Sequence, residues 1–126
     1  MMVSSGLYKY QYINLETFRK NGVGVKTPVW FVEENNCFYV WTVRKSGKAK
    51  RIRNNPRVKV APATARGEIL GDWYEGLAEF VDPKEDNRLH SLFKKKYGLI
   101  LLVFDWMGKI QKADRGHIRI KLDVNG

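Results

Sequence analysis

Alternation of apolar and polar positions with a period of two dominates this chain. In residues 23–31, Val23, Val25, Thr27, Val29 and Phe31 fall on one face, and Lys26, Pro28 and Trp30 on the other, the pattern of a half-buried strand. Residues 38–43, FYVWTV, are aromatic and β-branched and read as a second strand. Glu33 to Asn36 supply a turn between the two, so a β-hairpin is expected. Pro28 cannot donate to a ladder, which predicts a bulge or a sheet edge around it. Residues 57–63, RVKVAPA, form a further short strand, and residues 68–81 form two strands or one long bent strand with Gly71 and Gly76 at the bends. Near the end, Ile118, Ile120 and Leu122 alternate with His117, Arg119 and Lys121 in a closing strand.

Periods near 3.6 are shorter and fewer. Residues 14–22, NLETFRKNG, read as a short helix capped by Asn14, with Leu15 and Phe18 as an i, i+3 apolar pair and Gly22 closing it. A helix is expected after the second strand, with Ser46 as N-cap and Asn54-Asn55-Pro56 as its stop. Asp82-Pro83-Lys84-Glu85 is a strong helix start, followed by the stripe Leu89, Leu92, Phe93, Tyr97, with Lys94 to Lys96 ahead of Gly98. Residues 99–107 are apolar nearly all round and read as a helix in preference to a strand, and residues 1–12 as a partly ordered arm. Five or six strands with short helices at the connections predict a mainly β fold, a small closed or split barrel, because closure removes the edges that so few strands would leave. At this length, 1–126 is expected to be one domain without staples.

Charge changes the picture. The chain carries 23 Lys and Arg against 13 Asp and Glu, a net charge of +10, and so calls for an anionic partner. Lys45, Lys48, Lys50 and Arg51 crowd the first turns of the helix after residue 46, where the positive end of the helix dipole disfavours cations. A solvated basic helix is the alternative, but it does not account for cations at that end. Exposed amides at the helix start, Gly47 permitting close approach, the hydroxyls of Thr42 and Ser46 and the Lys48 ammonium together form a phosphate cradle. The lone Cys37 reads as a small buried hydrophobe. The absence of an apolar leader or membrane-length run leads us to expect a cytoplasmic protein.

Side-chain catalysts are scarce. Only His90 and His117 are available as bases near neutral pH, and each sits in a pattern that favours a structural role. No cluster has metal-ligand spacing, and no Walker loop, nucleophile elbow or GxGxxG is present. An enzyme built this way takes its reactive group from a cofactor.

The segment with Thr42, Ser46-Gly47-Lys48 and Asn55-Pro56 resembles the flavin-binding split barrel of the pyridoxamine 5′-phosphate oxidase-like superfamily. Together with VKTPVW, YVWT, KAKRIRNNPRV and the Glu75-Gly76 ahead of LAEF, it is similar to a deazaflavin (coenzyme F-420)-dependent branch of that superfamily, over residues 12–122. The resemblance implies a six-stranded split β-barrel and an oxidoreductase that binds FMN or the deazaflavin coenzyme F-420 and transfers hydride to or from an organic substrate. It places Lys26, Thr42, Ser46 and Lys48 around the cofactor phosphate and runs the backbone of Thr27, Pro28 and Val29 along the ring. It sets Trp41 just before the phosphate-binding threonine, puts Gly47 where the oxidase proper has a basic residue, and offers Arg51 and, further off, Arg66 to the longer acidic tail of the deazaflavin. It further implies a homodimer with cofactor sites at the subunit interface, where Trp106 or His117 would reach the partner's cofactor. The oxidase's C-terminal substrate-binding Trp and Arg-x-His region has no match, which argues against vitamin B6 oxidation.

Two other readings stand beside the enzyme. The same barrel would serve as a non-catalytic holder of a flavin or haem-like ligand. Basic residues interleaved with Trp30, Tyr39, Trp41, Trp73 and Tyr74 would also suit single-stranded nucleic acid, which stacks bases on such rings.

Overall fold

The computed structural model describes residues 10–98 and 115–123. Six antiparallel strands, β1 (Tyr12–Phe18), β2 (Gly24–Glu34), β3 (Cys37–Val43), β4 (Arg57–Ala63), β5 (Tyr74–Phe80) and β6 (Arg115–Leu122), close into a barrel in the order β1-β2-β3-β6-β5-β4. The closing pair is β4 with β1, in register from Tyr12 opposite Ala63 to Glu16 opposite Lys59. Among the described residues two short α-helices accompany the strands, α1 (Gly47–Asn54) between β3 and β4 and α2 (Asp86–Tyr97) after β5.

The barrel interior is filled by alternate residues of every strand, among them Ile13, Leu15, Phe31, Val40, Val60 and Ile120. Ile52 of α1 belongs to the same cluster, so this helix plugs one end of the barrel. On the outside, Val32 and Tyr39 meet Leu89, Phe93 and Tyr97, the buried stripe of α2, with Trp30 and Trp41 packed against the edge of this second cluster. Apolar burial on both sides of β2 and β3 fixes their register, since a slip of one residue would exchange the two faces.

The expected helix over residues 14–22 is instead β1. Its Ile13, Leu15 and Thr17 point inward, a period of two that pairs with β2 on one side and β4 on the other. Two flanking strands satisfy the backbone more fully than an eight- or nine-residue helix with one apolar pair, a case of tertiary pairing overriding local propensity. Gly22 keeps its turn role, at φ 88° between β1 and β2.

The hairpin turn falls on Asn35 and Asn36, both at positive φ, as the side chain of asparagine tolerates. Residues 68–81 yield one strand, β5, preceded by a single bridge from Ile69 to Ala63. Gly76 is buried in β5 where a Cβ would stand 2.6 Å from the Lys121 carbonyl oxygen, so only glycine lets β5 and β6 approach this closely. Asp82 accepts from Lys84 N at 2.9 Å and opens a 3-10 turn, Pro83–Glu85, that leads into α2. The Glu85 carboxylate accepts from Arg88 Nε at 3.0 Å within this first turn region. Cys37 is half-buried and free, less enclosed than its strand position suggests. The helix expected over residues 99–107, and Trp106 with it, lie outside the described residues.

Candidate functional site

Two local features bring the sequence-predicted residues together. The first is a fork between β2 and β3. The ladder joining them runs from Glu34 opposite Cys37 to Phe31 opposite Val40 and stops there. Continued, it would set Val29 opposite Thr42, but Gly24–Trp30 of β2 pair only with β1 among the described residues. Pro28, opposite Asn14 in an unbroken register, therefore sits on an edge and not in a bulge.

The hydroxyl of Tyr97 closes the apex of the fork. It accepts from Phe31 N at 2.9 Å and lies 2.8 Å from Phe31 O and 2.7 Å from Gln11 O. Lys96 Nζ donates to Phe31 O as well, at 2.9 Å. Burial pushes the Lys96 ammonium down to about 8, against a smaller upward pull from Glu33.

The second feature is the amino end of α1, which follows β3 directly. Ser46, in extended conformation, caps the helix through its Oγ, which accepts from Ala49 N at 3.2 Å and lies 3.5 Å from Thr42 Oγ1. Helix geometry leaves the Gly47 and Lys48 amides without intrahelical acceptors. The first turn has no acidic residue. Lys48 is partly buried at this point, and burial together with the neighbouring Arg51 charge pushes its ammonium down to about 8. Neither Lys48 nor Arg51 makes an ion pair among the described residues.

Arg51 turns back along its helix. Its Nε donates to Thr17 Oγ1 at 2.6 Å, and its Nη1 lies 3.0 Å from where a Cβ on Gly47 would stand. Thr17, 1% exposed on the inward face of β1, was hidden by the helical reading of residues 14–22; the alternation Ile13, Leu15, Thr17 is the signal that reveals it.

Thr42, Ser46, Gly47, Lys48 and Arg51 are thus one cluster, and Thr27, Pro28 and Val29 lie on the opposite arm of the fork. Lys26 stands on the outer face of β2, its Nζ 5.4 Å above the ring of Trp73 and its Cα opposite Glu16. Trp41, next to Thr42 but on the other face of β3, packs edge-on to His90 at 5.6 Å and near Phe93. Arg66 is exposed in the loop after β4.

The histidines are committed elsewhere. His117, which alternates with Ile118 and Ile120 along β6, is 1% exposed beneath α2, with Nδ1 2.9 Å from Asp86 Oδ1. Asp86 also accepts from Arg44 Nη2 at 2.6 Å, so these three residues dock the start of α2 on the barrel. A separate groove of about 640 Å³ runs over Tyr39, Leu77, Glu79, Arg119 and Lys121 on the outer face of β3, β5 and β6, away from the α1 cluster. Among the described residues, no group of His, Cys, Asp and Glu is placed to hold a metal, and no helix is long and apolar enough to cross a membrane.

No protein-family model matches the sequence, and no curated protein matches it. Solved structures do share its architecture. A candidate pyridoxamine 5′-phosphate oxidase from Listeria innocua is 18% identical, with a TM-score of 0.69 over 95% of this chain and 90% of that one. The heme storage protein HutZ from Vibrio cholerae is 14% identical, with a TM-score of 0.72 over 99% of this chain and 93% of the other. An F420 reductase is 18% identical, with a TM-score of 0.62 over 98% and 96%. Six antiparallel strands closed into a barrel, two short helices and this set of neighbours define the fold: it is the split barrel of the pyridoxamine 5′-phosphate oxidase-like proteins.

Proposed function

We propose that the chain is an oxidoreductase that binds FMN or the deazaflavin coenzyme F-420, with the cofactor phosphate at the amino end of α1. The observation that carries this reading is the Lys48 and Arg51 pair. Lys48 lies in the first turn of α1, the helix end that already favours negative charge, and Arg51, from the last turn, folds its guanidinium back to within 3.0 Å of where a Cβ on Gly47 would stand, with no ion pair to either cation among the described residues. An anion relieves both the burial cost of Lys48 and the mutual repulsion, so the donor set fits a phosphate ester.

In this reading Lys48, Arg51, Ser46 and Thr42 hold the phosphate, and Gly47 keeps the amides open to it. Thr27, Pro28 and Val29 offer the ring an edge of β2 whose far side has no strand partner among the described residues. Lys26 lies on the same strand as a further cation for the phosphate. When bound, such a ring supplies hydride exchange with an organic substrate. The chain itself binds and orients it, and no buried base is required for the hydride step. The deazaflavin is favoured by the branch resemblance, and an F420 reductase is among the structural neighbours. The sites are completed in a homodimer in this account.

The storage reading has its own support. A heme storage protein shares the fold, and neither histidine lies in the α1 cluster: His117 sits beneath α2 against Asp86, and His90 is on α2 itself, against Trp41. The nucleic-acid reading loses ground, because Trp30 stacks on Tyr97 at 4.5 Å while Tyr39 and Trp41 pack under α2, which leaves few rings free to receive bases. Absorbance titration of the purified protein with FMN and with coenzyme F-420 decides the matter first. Saturable binding of either, followed by oxidation of the reduced cofactor by a panel of acceptors, is the expected result. Binding without turnover favours storage, and no spectral change with either coenzyme removes the proposal.

A further inference from the structure

Arg51 and Lys48 repel one another, and a long side chain at the surface of a short helix would ordinarily swing away from a neighbouring cation. It does not do so here, because Nε is tied to the hydroxyl of Thr17 at 2.6 Å, and Thr17 is anchored on the inward face of β1. With Nε engaged, the guanidinium is pinned over the first turn of α1. Its Nη1 lies 3.0 Å from where a Cβ at position 47 would stand, close over the start of the helix.

From this geometry we infer that Thr17 is a positioning residue of the phosphate site: its buried hydroxyl holds Arg51 beside Lys48 in the absence of ligand, so that two cations are already in place when a phosphate ester arrives. The inference rests on the reading given under Proposed function and names the residue on a distant strand that organises that site. Fixing the guanidinium beforehand removes an entropy loss that binding would otherwise incur, and among the described residues neither terminal nitrogen has an acceptor, so both can donate in the planar arrangement that suits phosphate. Val25 is the cross-strand neighbour of Thr17 on β2, so the hydroxyl has no competing polar partner there.

The test compares FMN with riboflavin, which has the same ring and no phosphate, by fluorescence quenching in the wild type, Thr17→Val and Thr17→Ser. The wild type is expected to prefer FMN. Thr17→Val, nearly isosteric but without the acceptor, should bind FMN about tenfold more weakly with riboflavin affinity unchanged, and Thr17→Ser should restore the preference. An unchanged FMN to riboflavin ratio in Thr17→Val overturns the proposal, as does an equal loss of both ligands. A wild type without preference for FMN overturns the phosphate site itself, and this inference with it. Should Thr17→Val fail to fold, Thr17→Ala removes the same acceptor and is expected to show the same selective loss, and an unchanged FMN to riboflavin ratio in it overturns the proposal.

Discussion

Lys48 is the side chain on which the proposed phosphate site can be tested most simply. Its ammonium is pushed down to about 8 by burial and by Arg51, and a bound phosphate would pull it back up. Between those two values the complex holds more protons than the free protein. Affinity for FMN should therefore be flat below pH 8 and fall as pH rises above it, by up to about tenfold per pH unit. Binding isotherms from pH 6.5 to 9.5 check this, and an affinity independent of pH across that range would show that Lys48 does not face the anion. Part of this was visible in the sequence, because Ser46, Gly47 and Lys48 are neighbours along the chain and their chemistry is local. Arg51 was legible as a cation but not as a fixed one. Its anchor, Thr17, is 34 residues away, and nothing in local spacing links the two.

At the scale of elements, the fork between β2 and β3 depends on α2. Where the ladder ends, the Phe31 amide and carbonyl turn to the Tyr97 hydroxyl, which also reaches Gln11 O. Tyr97→Phe keeps the stacking on Trp30 and Phe93 and removes that hydroxyl. A buried amide left without an acceptor costs about 1 to 3 kcal/mol, so urea unfolding should show a loss of that size. A change below about 0.5 kcal/mol, the range of a neutral surface substitution, would mean that the hydroxyl does not support the fork. The hairpin, α1, β4 and the stripe of α2 were all readable, since each carries its own periodicity, cap or turn. β1 was misread because Asn14 and Gly22 mimic helix ends, and its strand character becomes decisive only when β2 and β4 flank it. Of the two strands or one long bent strand expected over residues 68–81, Tyr74–Phe80 pairs continuously as β5, and the part before it makes only the bridge from Ile69 to Ala63.

Among the described residues the molecule is a barrel plugged at one end by α1 and clad on one side by α2. The plug carries Lys48 and Arg51, and the cladding ties the apex of the fork through Tyr97. Closure was foreseeable from strand number and the need to remove edges, whereas the order β1-β2-β3-β6-β5-β4 is set by long-range pairing that no local pattern encodes. The net charge of +10 predicted an anion but not its place. Lys48 in the first turn of α1 and the Arg51 guanidinium folded back over it make no ion pair among the described residues, and the proposal stands or falls on that coincidence. The most direct measurement is the dissociation constant for FMN, with riboflavin as control, in the wild type and in Lys48→Glu. Reversing this charge should weaken FMN binding by about a hundredfold or more, the scale of losing a charge-assisted contact and gaining a repulsion, while riboflavin affinity and the unfolding midpoint stay close to wild type. FMN affinity equal in the two proteins would contradict it.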